Sequence, residues 1–327
     1  MRVLEVHSLS DDVSGLALTE RPMPEPGPGE VLLKIEAAAL GWPDLLMTAG
    51  AYQAKPALPF VPGMECAGTV IACGADVAGW ASGARVIAGG TSGAVAQFGV
   101  FPADGLMPLP GGLSFAQGAA FRVAYLTAWV SLVRLGRAQA GEWVVVHGAA
   151  GGVGLATVDL ARALGLRTIA VASSAEKLVA IAAHCPPDVA LVGPVGIREA
   201  VLEATGGRGA DLVFDPVGGD VFDEACRYTG FGGRLLVVGF ASGRAATLKT
   251  NLALIKGLQV VGVRAGEYGR RFPDHGREHL AAIAALAEAD AIRPHVHAEL
   301  PLDRWRDAYA AMQDRQVIGR TVILPHG

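Results

Sequence analysis

The junction between the apolar run Trp143-Val144-Val145-Val146-His147 and the segment Gly148-Ala149-Ala150-Gly151-Gly152-Val153-Gly154 constrains this chain more than any other part of it. The run reads as a short buried strand. The residues after the glycines, Leu155-Ala156-Thr157-Val158-Asp159-Leu160-Ala161-Arg162-Ala163-Leu164, carry apolar side chains at helical spacing and stop at Gly165. A strand, a glycine turn and a helix in that order suit a dinucleotide pyrophosphate. Glycine lets the main chain approach the phosphates, and the helix start offers free N–H groups and a positive dipole end. The fingerprint is A-x-G-x-x-G, because Ala149 stands where the first glycine of G-x-G-x-x-G would be.

The end of the next strand selects the dinucleotide. Arg167-Thr168-Ile169-Ala170-Val171-Ala172 reads as that strand, and an NAD site would place an acid at its tip, about 20 residues beyond the glycines, for the ribose 2′-hydroxyl. The chain has Ser173-Ser174-Ala175-Glu176-Lys177 instead. Two hydroxyls and an ammonium suit a 2′-phosphate, so NADPH is favoured over NADH. Ser174 equally reads as the N-cap of a helix over 175–183, with Glu176 and Lys177 as its solvated first turn.

Composition narrows the class. A chain of 327 residues can form two domains with a shared cleft, and a net charge of −4 provides no basic stripe for nucleic acid. Hydrophobic content is 51%, yet no apolar run reaches the length of a membrane span. The start, Met1-Arg2-Val3-Leu4-Glu5-Val6-His7, alternates like a strand and lacks the apolar core of a signal peptide, so a cytoplasmic protein is expected. Cys66, Cys73, Cys185 and Cys226 are scattered without C-x-x-C, which suggests neither a disulfide framework nor structural zinc. His295 and His297 alternate on a candidate strand, more simply a surface pair than a metal site.

Residues 1–120 hold short β runs at 31–35, 67–72, 85–88 and 95–100, separated by Gly/Pro clusters such as Pro22-Met23-Pro24-Glu25-Pro26-Gly27-Pro28-Gly29. That pattern predicts a partly open antiparallel barrel. Over 121–264 strands alternate with helices, with further strands at 189–192, 211–215, 234–238 and 259–263, which predicts an α/β, doubly wound parallel sheet. Residues 265–327, with helices at 279–289 and 302–313 and a strand at 321–324, are expected to rejoin the barrel domain.

In this order the chain resembles the zinc-independent medium-chain dehydrogenases/reductases, specifically the NADPH:quinone oxidoreductase (ζ-crystallin-like) group. The resemblance is carried by Gly41-Trp42-Pro43-Asp44-Leu45-Leu46, Gly50-Ala51-Tyr52 and Leu58-Pro59-Phe60-Val61-Pro62-Gly63-Met64-Glu65-Cys66-Ala67-Gly68. It continues through Tyr125-Leu126-Thr127-Ala128-Trp129, the glycine loop, Ser173 to Lys177, Phe214-Asp215-Pro216-Val217-Gly218-Gly219 and Val238-Gly239-Phe240. It implies a Rossmann domain beside a GroES-like catalytic domain, a homodimer joined through the edge strand 259–263, and a quinone or conjugated-carbonyl acceptor.

The same resemblance addresses the metal. Zinc-dependent relatives use a Cys three residues before an Asp and the His of a Gly-His-Glu motif; those positions here are Gly41 and Met64. Glycine offers no ligand atom and a thioether is a poor one for Zn²⁺. Many relatives carry Asn at position 41, Pro at Arg122, and a Tyr near the 2′-phosphate where Gly193 stands. Gly41 is therefore expected to vacate volume beside the nicotinamide and admit bulky flat acceptors.

The implied cofactor site comprises Gly41, Thr127, Ala150, Gly151, Gly152, Val153, Ser173, Ser174, Lys177, Phe240, Arg264 and Gly266. Tyr52 is the candidate hydroxyl donor to the acceptor, or a residue that only closes the cleft. Thr127 has a second reading as a helix residue bonding a preceding carbonyl. An enone or enoyl-thioester reductase, with Arg122 and Arg264 beside CoA phosphates, and an NADPH-binding structural or sensing protein stay open as alternatives.

Overall fold

A computed structural model describes residues 1–327. The chain forms two compact units, residues 1–123 with 293–327, and residues 124–292.

The first unit begins with an antiparallel pair, β1 (Arg2–Val6) and β2 (Leu16–Glu20). Its organising strand is β3 (Glu30–Leu40), followed by α1 (Trp42–Thr48), β4 (Glu65–Cys73), β5 (Arg85–Gly89), β6 (Phe98–Pro102), β7 (Met107–Pro108) and the short α2 (Phe115–Ala119). β3 pairs with β4 along its length and with β6 over Glu30–Lys34. Its far end, Ala38–Leu40, pairs with a strand from the C-terminus. Register shifts on the β3–β4 ladder near Leu33 and Ala37 mark where this strand changes partners, as a strand must to curl a sheet toward a barrel.

The second unit takes up α3 (Arg122–Trp129) from its third residue and continues it as a π-helical stretch, Val130–Leu135. Strands and helices then alternate: β8 (Trp143–Val146), α4 (Gly152–Ala163), β9 (Arg167–Ala172), α5 (Ala175–His184), β10 (Val189–Val192), α6 (Arg198–Ala204), β11 (Ala210–Asp215), α7 (Asp220–Tyr228), β12 (Thr229–Val237), α8 (Thr250–Lys256), β13 (Gln259–Gly262), α9 (Ala265–Arg271) and α10 (Pro273–Glu288). The sheet is parallel throughout, in the order β10-β9-β8-β11-β12-β13. The winding reverses at β8, which places the glycine loop at the topological switch point where such sheets bind ligands. β8 is buried at every residue, consistent with its uninterrupted apolar run.

The chain returns to the first unit as β14 (Val296–Pro301), α11 (Trp305–Gln313) and β15 (Arg320–Leu324). Trp305, Tyr309 and Ile323 join Leu33, Ile35 and Met47 in one apolar cluster. The expected boundaries at 120 and 264 therefore differ from the observed ones. Residues 265–292 pack in the second unit, where the Arg134 guanidinium donates to the Tyr268 hydroxyl at 2.6 Å and Ile283 and Ala287 are buried. His297 lies on β14, while His295 precedes that strand. No helix is long and apolar enough to cross a membrane.

Candidate active site

In the second unit, β8 gives way to a tight turn. Gly148 has φ +58°, the left-handed conformation that glycine tolerates best. The Ala149 N–H donates to the Val171 carbonyl at 3.0 Å, and the Gly151 N–H to the Gly148 carbonyl at 2.9 Å. Gly151 is the N-cap of α4 and supplies no capping side chain. A Cβ on Gly154 would lie 2.1 Å from the Gly148 oxygen, so only glycine allows the helix to close on the turn so tightly. The first N–H groups of α4 consequently face an uncapped, glycine-edged loop, a cradle that fits a pyrophosphate. Ala149 and Ala150 are buried, Gly152 and Val153 are half-buried and Gly151 is exposed. Ala149 thus replaces a glycine without disturbing the turn.

At the tip of β9 the structure brings together the three residues read as a phosphate site. The Ser174 hydroxyl caps α5, accepting from the Lys177 N–H at 3.4 Å, and the Lys177 ammonium donates to the Ser173 hydroxyl at 3.1 Å. The Glu176 carboxylate accepts from the Ser174 hydroxyl, which holds it below the usual range. The N-cap reading of Ser174 therefore holds, and Ser173 and Lys177 pair beside it. A Cβ on Gly193 would lie 2.7 Å from Val171 Cγ1, so the absence of a Tyr there follows from packing against β9.

The other cofactor candidates lie on other elements of the second unit. Thr127 is half-buried in α3, where its carbonyl accepts from the Ser131 hydroxyl at 2.7 Å. Phe240 is exposed over Gly218, Arg264 is the exposed N-cap of α9, and Gly266 lies in that helix's first turn. Sequence reasoning passed over the role of Asp215 at the tip of β11. Its Oδ1 accepts from the Val217 and Gly218 N–H groups at 2.8 and 2.9 Å, fixing the loop beyond. Burial raises its pKa.

In the first unit, Tyr52 is half-buried against the apolar cluster. Gly41 starts α1 at the end of β3, and its surroundings overturn the expectation of vacated volume. A Cβ on Gly41 would lie 1.8 Å from Arg320 Nη1, so the guanidinium already fills that space. Arg320 is 6% exposed and pairs with Glu65, itself 1% exposed, at 3.0 Å. Asp44 accepts from the Gly41 N–H at 2.8 Å and the Gly63 N–H at 3.0 Å, while Glu65 accepts from the Val123 N–H at 2.7 Å.

Arg122 turns inward too. It donates to the Gly105 carbonyl at 2.6 Å and lies where a Cβ on Gly89 would meet it at 2.8 Å. It is therefore not presented to a CoA phosphate. Two guanidinium groups and two carboxylates form one buried, charge-balanced cluster. Burial drives the Asp44 pKa up to about 6 and that of Glu65 to about 7, with the Arg320 charge opposing both shifts. No group of three or more His, Cys, Asp or Glu side chains converges to hold a metal ion.

This cluster has a pH-dependent cost when broken. Carboxyl groups with raised native pKa values bind more protons folded than unfolded over about pH 4 to 7, so stability falls as pH rises through that window. Removing the guanidinium raises both pKa values further and leaves two buried anions at alkaline pH. Arg320→Met should cost about 3–5 kcal/mol in urea denaturation at pH 8 and clearly less at pH 5.5, where the carboxyls are protonated. Equal losses at the two pH values would contradict the charge-balance account.

Two family models match the chain: an alcohol dehydrogenase GroES-like domain over residues 27–111 and a zinc-binding dehydrogenase domain over residues 152–282. Quinone oxidoreductase-like protein 2 homolog from Nematostella vectensis is 33% identical over 91% of this chain and 82% of its own. Quinone oxidoreductase from Mus musculus is 30% identical over 88% and 86%. The quinone oxidoreductase from Thermus thermophilus, also solved in complex with NADPH, superposes with a TM-score of 0.85 at 33% identity, over 99% of this chain and 100% of that one. The chain belongs to the medium-chain dehydrogenase/reductase family, as an oxidoreductase of the quinone oxidoreductase-like kind.

Proposed function

We propose that the protein is a metal-free, NADPH-dependent reductase of quinones. The observation that carries this reading is the Ser173–Ser174–Lys177 cluster at the tip of β9, beside a helix start that no side chain caps. When bound, NADPH supplies the hydride; the chain's own residues hold and orient it. Main-chain N–H groups at Gly152 and Val153 would bind the pyrophosphate, with Gly151 closing the turn through its own N–H to the Gly148 carbonyl, and Lys177 with the two serines the 2′-phosphate. Thr127, Phe240, Arg264 and Gly266 are proposed to border the nicotinamide, and Tyr52 to face the acceptor.

The metal-free part rests on ligand chemistry. Gly41 has no donor atom, Met64 has only a thioether, and the volume a ligand at position 41 would need is taken by Arg320. A quinone is electron-poor enough to accept hydride without a Lewis acid. The inward turn of Arg122 removes half of the basic groove that an enoyl-thioester reductase would require.

The relatives named quinone oxidoreductase and the NADPH-bound state of the Thermus protein support the same reading. A charge-assisted phosphate contact is worth about 1.5–3 kcal/mol. Lys177→Ala should therefore weaken NADPH roughly 10- to 100-fold in benzoquinone reduction while leaving NADH nearly unchanged. Equal losses for both cofactors would remove Lys177 from the phosphate site.

We also infer a homodimer formed through β13. That strand ends the parallel sheet, and Gln259, Val260 and Gly262 on it are exposed. Phe231 on β12, with Leu254 and Ile255 on the preceding α8, adds large exposed apolar side chains, each more than 65% exposed. An unpaired edge of this kind favours pairing with a second copy by an isologous contact. Light scattering should give twice the 33.6 kDa chain mass at micromolar concentration. A monomer mass, or a dimer that survives Val260→Lys unchanged, would count against this interface.

A further inference from the structure

One polar ring ends the apolar run of β8. Strand alternation puts His147 on the same face as Trp143 and Val145, which share an apolar cluster with Val213, Phe222 and Tyr228. His147 and Tyr228 are both buried. His147 Nε2 and the Tyr228 hydroxyl lie 2.5 Å apart, a hydrogen bond from the end of β8 to the end of α7. Nδ1 has no partner, so this bond alone orients the ring. Burial pushes the imidazole down to about 3 and the phenol well above its ordinary range, so the pair is neutral. Two apolar side chains would fill this space without desolvating a nitrogen and a hydroxyl. What the polar pair adds is direction, because a hydrogen bond fixes one ring orientation.

The pair stands where two loops begin. His147 leads directly into the left-handed Gly148, and its N–H donates to the Phe214 carbonyl at 3.1 Å. Asp215, the next residue, fixes the Val217 and Gly218 N–H groups. A Cβ on Gly148 would lie 3.4 Å from Pro216 Cγ, so the loops face each other across the width of one methyl group. They flank the crevice between β8 and β11, where the winding reverses. We propose that His147, oriented by Tyr228, is a positioning residue for the dinucleotide, holding Gly148 at the spacing from Pro216 that lets the pyrophosphate settle on the start of α4. The proposal rests on the reading of the glycine loop as the NADPH cradle. His147 itself makes no contact with the cofactor, because its ring is buried against Tyr228 and acts through the turn that follows it.

The test measures NADPH and 2′-AMP binding by titration calorimetry, beside melting temperature and steady-state benzoquinone reduction. The nucleotide 2′-AMP probes the Ser173–Ser174–Lys177 cluster without a pyrophosphate. His147→Leu with Tyr228→Phe removes both polar groups together, so neither is left buried without its partner. This double variant should weaken NADPH about 10-fold, in KM rather than kcat, with 2′-AMP changed less than about 2-fold and the melting temperature no lower than wild type. Tyr228→Phe alone should weaken NADPH about 5-fold, and it remains informative if the double variant fails to fold. His147→Gln, which returns an amide to the Tyr228 hydroxyl, should bind NADPH within about 3-fold of wild type. Unchanged NADPH affinity in the folded variants would make the pair a core contact and overturn the proposal. So would equal losses for NADPH and 2′-AMP, which would spread the effect over the whole nucleotide domain. Wild-type protein whose NADPH binding depends on the pair but that reduces no quinone would sink the quinone reading and leave the positioning role standing.

Discussion

The close approach of Gly154 to the Gly148 carbonyl is the constraint on which the dinucleotide site depends. With any side chain at 154, α4 could not begin so near the end of β8, and its N–H groups would turn away from the loop. β8 must lie between β9 and β11 for the loop to emerge at the reversal of winding, and for the tip of β9 to stand beside it. The glycine loop after β8 and the Ser173–Ser174–Lys177 cluster after β9 therefore lie at the same edge of the sheet.

The first unit solves a different problem, that of holding charge away from water. Asp44, Glu65, Arg122 and Arg320 come from α1, β4, α3 and β15, and neutralise one another where each alone would be costly to bury. Such clusters are weak stabilisers compared with apolar packing of the same volume. Their value lies in fixing which segments meet. Here they tie the start of α1 and the start of β4 to the C-terminal strand, so the returning tail is part of the arrangement around Gly41 as well as part of the core.

Much of the second unit was legible in the sequence because its information is local. Apolar runs of four to six residues, glycine turns and helical spacing each lie within a short window, and the predicted strands at 189–192, 211–215 and 259–263 fall within a residue of the observed ones. The charge cluster was not legible, because its pairing joins residues more than 250 positions apart. A signal did exist: Asp44, Glu65 and Arg320 each interrupt or open an otherwise apolar segment, which is unusual unless the charges meet. Gly41 misled for the same reason, since the side chain that fills its space comes from the far end of the chain. The assignment of α9 and α10 to the second unit depends on Tyr268 meeting Arg134, and the π-helical widening at 130–135 leaves no mark in hydrophobic spacing.

The proposed function is hydride transfer from NADPH to a quinone without a metal. Its most direct test is turnover with benzoquinone and 9,10-phenanthrenequinone, beside crotonyl-CoA, on protein exhaustively chelated and assayed for zinc. The account predicts full quinone turnover with NADPH at far less than one zinc per chain, and little with crotonyl-CoA. Activity that disappears with EDTA and returns with Zn²⁺ would contradict it.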